Sequence, residues 1–198
     1  MDQQINKEPD LKDIVNQVFK LLRRSAQTGS DLHYPVLSTI SEGKARLRKV
    51  VLRDFDAATA ELFIHTDLRS HKIKNIKKEP HVSLLFWDPD KRVQLQVFGK
   101  AIINHLDVTA KKHWNYLPDI AKRTYGGPFN PGSIISEYMV NEAINVDSET
   151  INKEAFHHFV VLRIEIEEIE YLKLRKEGHV RARLNPHNGA WKAIWLAA

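Results

Sequence analysis

Two strand-like segments, R-L-R-K-V-V-L-R at 46–53 and R-V-Q-L-Q-V-F-G-K-A at 92–101, flank the segment H-T-D-L-R-S-H-K at 65–72. In the later strand, apolar and polar side chains alternate. Its valines and leucine are therefore expected to face the core, while its two glutamines share the opposite face. The middle segment is expected to begin a helix at about Ser70. The three segments together predict two strands of one sheet with a helix inserted between them.

The rest of the chain predicts further strands and a few helices. The predicted helices lie at about 10–24, from Ser70 to just before Pro80, at 107–117 and at about 133–145. The predicted strands lie at about 32–40, 44–55, 62–64, 81–87, 91–105, 160–167, 179–184 and 191–196, and residues 118–133 are predicted to form a loop. Strands at hairpin spacing favour a closed or split antiparallel barrel over a doubly wound sheet. No G-x-G-x-x-G motif follows any of these strands.

The composition is that of an ordinary globular chain. Of its 198 residues, 42% are hydrophobic and 28% are charged, which predicts one domain spanning residues 1–198. The chain has no cysteine, which excludes disulfides and thiolate chemistry. No apolar run approaches the roughly 20 residues that span a bilayer, and the first ten residues do not resemble a secretory signal. We therefore expect a cytoplasmic protein that does not contact membranes.

The positive charge raises the question of nucleic-acid binding. The formal net charge is +5 and the isoelectric point is near 9.3. The densest basic run, 71–78, carries Ile73 and Ile76 at helical spacing, so most of its lysines are expected to form a solvated helix face. Nucleic-acid binding is therefore not the expected role. His157 and His158 are adjacent, which is the wrong spacing for two ligands on one face, and no metal site is predicted.

The three segments carry side chains suited to an anionic ligand with a planar ring. The cations are Arg48, Arg53, Arg69, His71 and Lys72, and the hydroxyl donors are Thr66 and Ser70. These groups can neutralise a phosphate dianion, which the start of a helix also favours. Gln94 and Gln96 can donate to and accept from the polar edge of a ring. The same residues also fit a strand with solvated ends and a helix capped by Ser70, so both interpretations stay open at this point.

In order and spacing, the three segments resemble the pyridoxamine 5′-phosphate oxidase-like family, the FMN-binding split barrels. A weaker similarity follows at the C-terminus, in E-G-H-V-R at 177–181, W-K at 191–192 and L-A-A at 196–198. The resemblance implies a mainly β fold with flanking helices, an FMN-binding split β-barrel of the antiparallel Greek-key type. It also implies a homodimer with FMN at the interface, and an FMN-dependent oxidoreductase with a small-molecule substrate.

The resemblance also assigns roles to individual residues. The implied FMN-binding residues are Arg48, Val50, Val51, Leu52, His65, Thr66, Ser70, His71, Lys72, Gln94 and Arg181, and the implied substrate-binding residues are Arg53 and His179. Family members commonly carry Arg-Lys where this chain has His71-Lys72, and Arg69 is a candidate to compensate. Tyr171 falls near an aromatic position that packs against the flavin in the family. No residue is assigned a catalytic role.

One departure from the family motif bears on the substrate. Glu177 stands where the family has an arginine that contacts the substrate, so weak or absent oxidation of pyridoxamine phosphate is predicted. Two further alternatives stay open. The chain is either catalytic or a flavin-binding or flavin-sensing protein without a substrate, and the same fold can bind haem or a deazaflavin instead of FMN.

Overall fold

The computed structural model describes residues 10–139 and 148–198. The helices are α1 Leu11–Ser25, α2 His71–Lys78, α3 Val108–Asn115, α4 Asp119–Arg123 and α5 Ser148–His158, with a short 3₁₀ helix at Asp31–His33. The strands are β1 Val36–Ser41, β2 Lys44–Lys49, β3 Leu52–Asp56, β4 Glu61–Asp67, β5 His81–Asp88, β6 Val93–Asn104, β7 Phe159–Lys173, β8 Val180–His187 and β9 Ala190–Leu196. None of the described helices is long and apolar enough to cross a membrane.

The nine strands form one antiparallel sheet whose order closes it into a split barrel. The main order is β2-β1-β5-β6-β7-β4-β3, and β8 and β9 continue from β7. The strands β2 and β3 therefore lie at opposite ends of this order, although only Val50 and Val51 separate them in the chain. This short link joins the two ends of the sheet. The predicted mainly β, antiparallel split-barrel fold is confirmed.

The barrel interior is built from alternate residues of paired strands. One cross-strand row reads Leu37, Leu84, Val97, Ile169, Leu184 and Ala193. The first five of these side chains are at most 1% exposed. Fully burying a side chain of this size stabilises the fold by about 1.5–3 kcal/mol. Helix α1 adds an apolar stripe to the same core, and its N-terminus is capped by Asp10, whose carboxylate accepts from Lys12 N at 2.8 Å.

A second, smaller core lies outside the barrel, between β7 and helices α3 and α5. Its buried members are Ala110, Trp114, Ala155, Phe159 and Val161. Because these helices cover the outer face of the strand, Phe159–Leu162 are all buried. The prediction of a strand with only one buried face was therefore wrong at the start of β7, where the strand is covered on both sides.

Several predicted boundaries also need correction. The predicted strand 44–55 is two strands, because the chain leaves β2 at Lys49 and joins the opposite end of the sheet as β3. The predicted loop 118–133 contains the helix α4. The predicted helix at 133–145 is absent from 133–139, and its remainder lies outside the described residues. Helix α5 was not predicted. Other predictions hold: α2 ends before Pro80 and Asp107 caps α3.

The ladder between β6 and β7 contains a bulge that depends on a glycine. Phe98 pairs with Glu168 and Gly99 with Ile166, so Glu167 is an extra residue on β7. A Cβ atom on Gly99 would lie 3.1 Å from the carbonyl carbon of Glu165 and closer still to its oxygen. Because these are backbone atoms of a central strand, they cannot move aside easily.

We therefore expect Gly99→Ala to destabilise the protein by roughly 1–3 kcal/mol, the usual range for overpacking a core. The measurement is urea denaturation followed by circular dichroism. The control is Lys100→Ala at the neighbouring exposed strand position, which should change the free energy of unfolding by less than about 0.5 kcal/mol. An equal effect of the two substitutions would contradict the role given to Gly99.

Candidate functional site

The break between β2 and β3 decides where the two arginines of segment 46–53 lie. Arg48 lies in β2, where it pairs with Leu37 of β1 and shares the inward face of that core residue. Val50 leaves the sheet and donates its backbone N–H to Pro35 O at 3.0 Å. Arg53 stands at an irregularity in the β3–β4 ladder. Because of this break, Arg48 and Arg53 line two different cavities, which are described below.

Arg48 and Lys72 meet at a polar cluster beside the start of α2. Lys72 Nζ donates to Thr66 Oγ1 at 2.8 Å, and Ser70 Oγ lies 3.4 Å from the same hydroxyl. Arg48 Nη1 donates to Thr39 Oγ1 at 2.8 Å. Three strands, β1, β2 and β4, and the first turn of α2 thus bring cations and hydroxyl groups together.

The two cations of this cluster form no ion pair with any of the described residues. Among the described residues, no carboxylate lies within ion-pair distance of Arg48 or Lys72. Burial is the main cause that lowers the pKa of Lys72, and the positive charge of Arg48 lowers it further, whereas the negative charge of Asp67 partly opposes them. Burial also lowers the pKa of Arg48. Like charges that are held close and partly desolvated repel each other, so a bound anion would stabilise both.

The helix start adds donors to the same place. Ser70 has the extended conformation of an N-cap residue, but its side chain makes no capping hydrogen bond. Its hydroxyl lies beside Thr66 instead. The first-turn N–H groups of α2 therefore receive no side-chain acceptor from Ser70, and such groups favour an anion.

Neighbouring residues shape this cluster in different ways. Arg69 is an ion-pair partner of Asp67 at 2.7 Å and also donates to Gly127 O at 2.8 Å, so it anchors the loop after α4 and is not available to compensate for His71. His71 lines a cavity of about 540 Å³ together with Arg48 and Asn75. The polar cluster therefore opens into a space large enough for part of an organic ligand.

His65 and Thr66 are consecutive in β4 and point to opposite faces of the strand. Thr66 belongs to the polar cluster, whereas His65 lines a separate cavity of about 350 Å³ with Arg53, His113 and Tyr116. His65 Nε2 lies 3.0 Å from His113 Nδ1, and His65 Nδ1 is buried without a hydrogen-bond partner among the described residues. No third metal-ligating side chain joins the two histidines within the described part of the chain.

Both histidines of this pair are held neutral. Burial is the main cause that lowers the pKa of His65 to about 3, and the charges of His113 and Arg53 add to it. Burial also lowers the pKa of His113. In the neutral pair, one ring donates and the other accepts. Sequence reasoning missed His113, because a single histidine on a short helix carries no pattern that distinguishes it from a surface residue.

Gln94 and Arg181 lie on the outer face of the sheet. Gln94 pairs with Leu172, which in turn pairs with Arg181 in β8. Glu170, which sequence reasoning also missed, accepts from Arg181 Nη2 at 2.7 Å and from Arg183 Nη2 at 2.9 Å. These hydrogen bonds lower the pKa of Glu170. Arg181 is therefore held by a carboxylate in this structure.

Two further C-terminal residues lie elsewhere. Tyr171 faces the barrel interior at 1% exposure and donates its hydroxyl to Gln17 Oε1 at 3.3 Å, so it does not share a face with Gln94 and Arg181. His179 lies in the exposed turn before β8, where its Nδ1 accepts from Arg175 N at 3.3 Å. Within one chain, the predicted site residues thus lie in separate places. Arg48, Thr66, Ser70 and Lys72 form the polar cluster, Arg53 and His65 line the cavity with His113, and Gln94 and Arg181 lie on the outer face of the sheet.

Comparison with known protein families gives a match over part of the chain. Residues 15–105 match the family model described as pyridoxamine 5′-phosphate oxidase, FMN-binding domain. This segment includes the polar cluster and Gln94, whereas Arg181 and His179 lie beyond it. None of the curated proteins matches the sequence.

Several solved structures have a similar fold. A pyridoxamine 5′-phosphate oxidase-related, FMN binding protein from Nostoc punctiforme is 20% identical with a TM-score of 0.70, over 97% of this chain and 100% of that chain. PhzG from Burkholderia lata, solved in complex with tetrahydrophenazine-1-carboxylic acid, is 16% identical with a TM-score of 0.66, over 100% and 98%. A Clostridium acetobutylicum protein related to general stress protein 26 is 14% identical with a TM-score of 0.54, over 87% and 95%. At these identities, the similarity concerns the fold.

The buried histidine pair predicts a specific loss of stability in acid. The unfolded chain binds a proton at His65 below its ordinary pKa of 6.5, whereas the folded chain resists protonation down to about pH 3. Stability is therefore lost as the pH falls through this window, by up to about 3 kcal/mol between pH 7 and pH 4. We expect His65→Gln to lose less stability over that interval, measured by urea denaturation at each pH. The control, His187→Gln at an exposed position, should behave as the unsubstituted protein, and equal losses in all three would contradict the assignment.

Proposed function

Since residues 15–105 match the family model described as pyridoxamine 5′-phosphate oxidase, FMN-binding domain, we propose that the chain binds FMN and acts as an FMN-dependent oxidoreductase on a small molecule. The family resemblance predicted from the sequence is confirmed over these residues. Bound FMN supplies the redox chemistry of such an enzyme, while the protein binds and orients the reactants. The substrate and the roles of individual residues are part of the proposal.

The observation that carries the proposal is a pair of cations, Arg48 and Lys72, that form no ion pair among the described residues and lie beside the hydroxyl groups of Thr66 and Ser70. A phosphate monoester offers three acceptor oxygens and up to two negative charges, which match this set of donors. In the proposed complex, the phosphate accepts from these residues and from the first turn of α2. The adjoining cavity beside His71 then has room for the ribityl chain.

The isoalloxazine ring is assigned to Gln94 and Arg181. Gln94 can hydrogen-bond the polar edge of the ring, and Arg181 can place a positive charge beside it. In the proposed complex, Arg181 contacts both Glu170 and the flavin ring. The negative charge of Glu170 weakens the positive potential that Arg181 supplies at the ring. The carboxylate therefore makes the bound flavin harder to reduce than the arginine alone would.

A two-chain site explains why these residues are separated within one chain. We propose a homodimer in which one chain binds the phosphate, and Gln94 and Arg181 of the other chain contact the ring. Large apolar side chains are exposed on the same outer face of the sheet as Gln94: Leu47 is 66% exposed, Leu85 39% and Trp87 43%. An exposed apolar face of this kind favours association with another protein surface.

The substrate is assigned to the cavity that contains Arg53 and the histidine pair. Its volume of about 350 Å³ suits a small molecule. Its charged lining residues are Arg53, Lys112 and Asp54, which leaves one net positive charge. The neutral His65–His113 pair contributes one N–H donor and one acceptor. A small acid with a group that hydrogen-bonds an imidazole is the proposed substrate class. Glu177 is exposed near His179, and its charge argues against pyridoxamine phosphate as the preferred substrate.

The phosphate site predicts a preference for FMN over riboflavin. We expect Lys72→Glu to weaken FMN binding by roughly ten- to a hundredfold, which corresponds to the loss of about 1.5–3 kcal/mol from a charge-assisted contact. Riboflavin affinity should change little, because riboflavin lacks the phosphate. The measurement is flavin fluorescence titration, together with mass identification of the chromophore in the purified protein.

The matched control is Lys74→Glu, an exposed lysine two positions further along the same helix. Retained riboflavin binding would show that Lys72→Glu still folds. If riboflavin binds the unsubstituted protein as tightly as FMN does, or if the purified chromophore is haem or a deazaflavin, the proposed phosphate site is wrong.

The two-chain site predicts that dimerisation and FMN binding are lost together. We expect the unsubstituted protein to be a dimer by light scattering, and Leu85→Glu to shift it to a monomer with weakened FMN binding, because a carboxylate would be buried at the interface. Val108→Glu, at an 85% exposed position at the start of α3, is the control and should remain dimeric. A monomer that binds FMN with full affinity would refute the shared site.

A further inference from the structure

A third cavity, of about 530 Å³, lies between the C-terminal half of α1, the start of β6 and the end of β7. It shares no lining residue with the proposed FMN or substrate sites. Five cationic side chains border it: Lys20, Arg23, Arg24, Lys91 and Lys173. Among the described residues, no acidic side chain lines it.

Part of this positive charge has a structural explanation. Arg24 and Lys91 contact the buried carboxylate of Asp88, at 3.2 Å and 3.9 Å respectively. Arg23 and Arg24 also lie in the last turn of α1, where cations stabilise the helix dipole. These interactions would occur whether or not the cavity bound a ligand.

Lys20 and Lys173 are not explained in this way. Lys20 lies before the last turn of α1, and Lys173 ends β7 opposite Val93. Within the described ranges 10–139 and 148–198, neither lysine has an ion-pair partner, and neither does Arg23. Cations from two separate elements thus surround one space, and their mutual repulsion is relieved when an anion occupies it.

One wall of the cavity is apolar. It is formed by Leu21, Val93 and Tyr171, which are nearly buried core residues at 5%, 3% and 1% exposure and border the space with their outermost atoms. The amide groups of Gln17 and Gln27 lie at its border. An apolar wall with a few polar groups and a volume between about 300 and 1,000 Å³ is typical of small-molecule sites. Because the cations surround a cavity and do not form a long stripe, they favour a small ligand over nucleic acid.

We propose that this cavity is a further ligand site, which binds a small organic polyanion that carries a planar apolar group, such as a nucleoside diphosphate. The planar group packs on Leu21, Val93 and Tyr171, and the charged groups contact Lys20, Arg23 and Lys173. The proposal does not depend on the oxidoreductase activity, since none of these residues belongs to the site proposed for it.

Isothermal titration calorimetry of the FMN-saturated protein with ADP tests this proposal. We expect one ADP to bind per chain, with an affinity that falls as salt increases. Adenosine and pyrophosphate should each bind at least tenfold more weakly than ADP, because adenosine lacks the charged phosphate groups and pyrophosphate lacks the planar base. The double variant Lys20→Glu/Lys173→Glu should bind ADP at least tenfold more weakly while its FMN content is unchanged.

Lys111→Glu, an exposed lysine of α3 outside the cavity, is the charge-matched control and should bind ADP normally. If the glutamate variant fails to fold, Lys20→Gln/Lys173→Gln replaces it, with the same expected direction. The proposal is overturned if ADP binds the double variant as tightly as the unsubstituted protein, or if ADP displaces FMN. It is also overturned if a single-stranded oligonucleotide binds more tightly than ADP and in a manner sensitive to the same lysines.

Discussion

The fold depends on how the edges of β7 are shared. One edge pairs with β6 from Val161 to Lys173, whereas the other pairs with β4 over Phe159–Glu165 and with β8 over Ile169–Lys173. Since a strand edge can serve only one neighbour at a time, β4 and β8 must diverge between these two ranges. The bulge at Glu167 lies at that point of divergence, and Gly99 allows the two backbones to approach there. The split of the barrel therefore follows from the pairing of a single strand.

The same bulge reverses which residues of β7 face the core. Before it, Leu162 and Ile164 point inward, whereas after it Ile169 and Tyr171 do so. This change of phase buries Tyr171 against α1 and turns Glu170 outward, where it meets Arg181. An uninterrupted strand would have placed the carboxylate in the core, at a desolvation cost of several kcal/mol. One inserted residue thus determines which side chains belong to the interior and which to the proposed flavin face.

Local patterns in the sequence predict much of this fold and part of the candidate site. The alternation in β6 and the Ser70 region identify the elements that carry Gln94 and Lys72, because such patterns depend on neighbours in the chain. The break after Lys49 is not predictable in this way, since β2 and β3 separate in order to pair with different strands. Likewise, His113 meets His65 and Glu170 meets Arg181 only through tertiary contacts. The assigned roles of the individual site residues stay predictions.

The repulsion between Arg48 and Lys72 links the fold to the supply of its proposed cofactor. A ligand that binds only the folded chain stabilises it by about 2.7 kcal/mol at a concentration one hundred times its dissociation constant. A phosphate seated between these cations would therefore raise the resistance of the chain to unfolding and to proteolysis of the unfolded form. The cellular abundance of such a protein would follow the availability of the vitamin from which its cofactor is made, without any dedicated regulator.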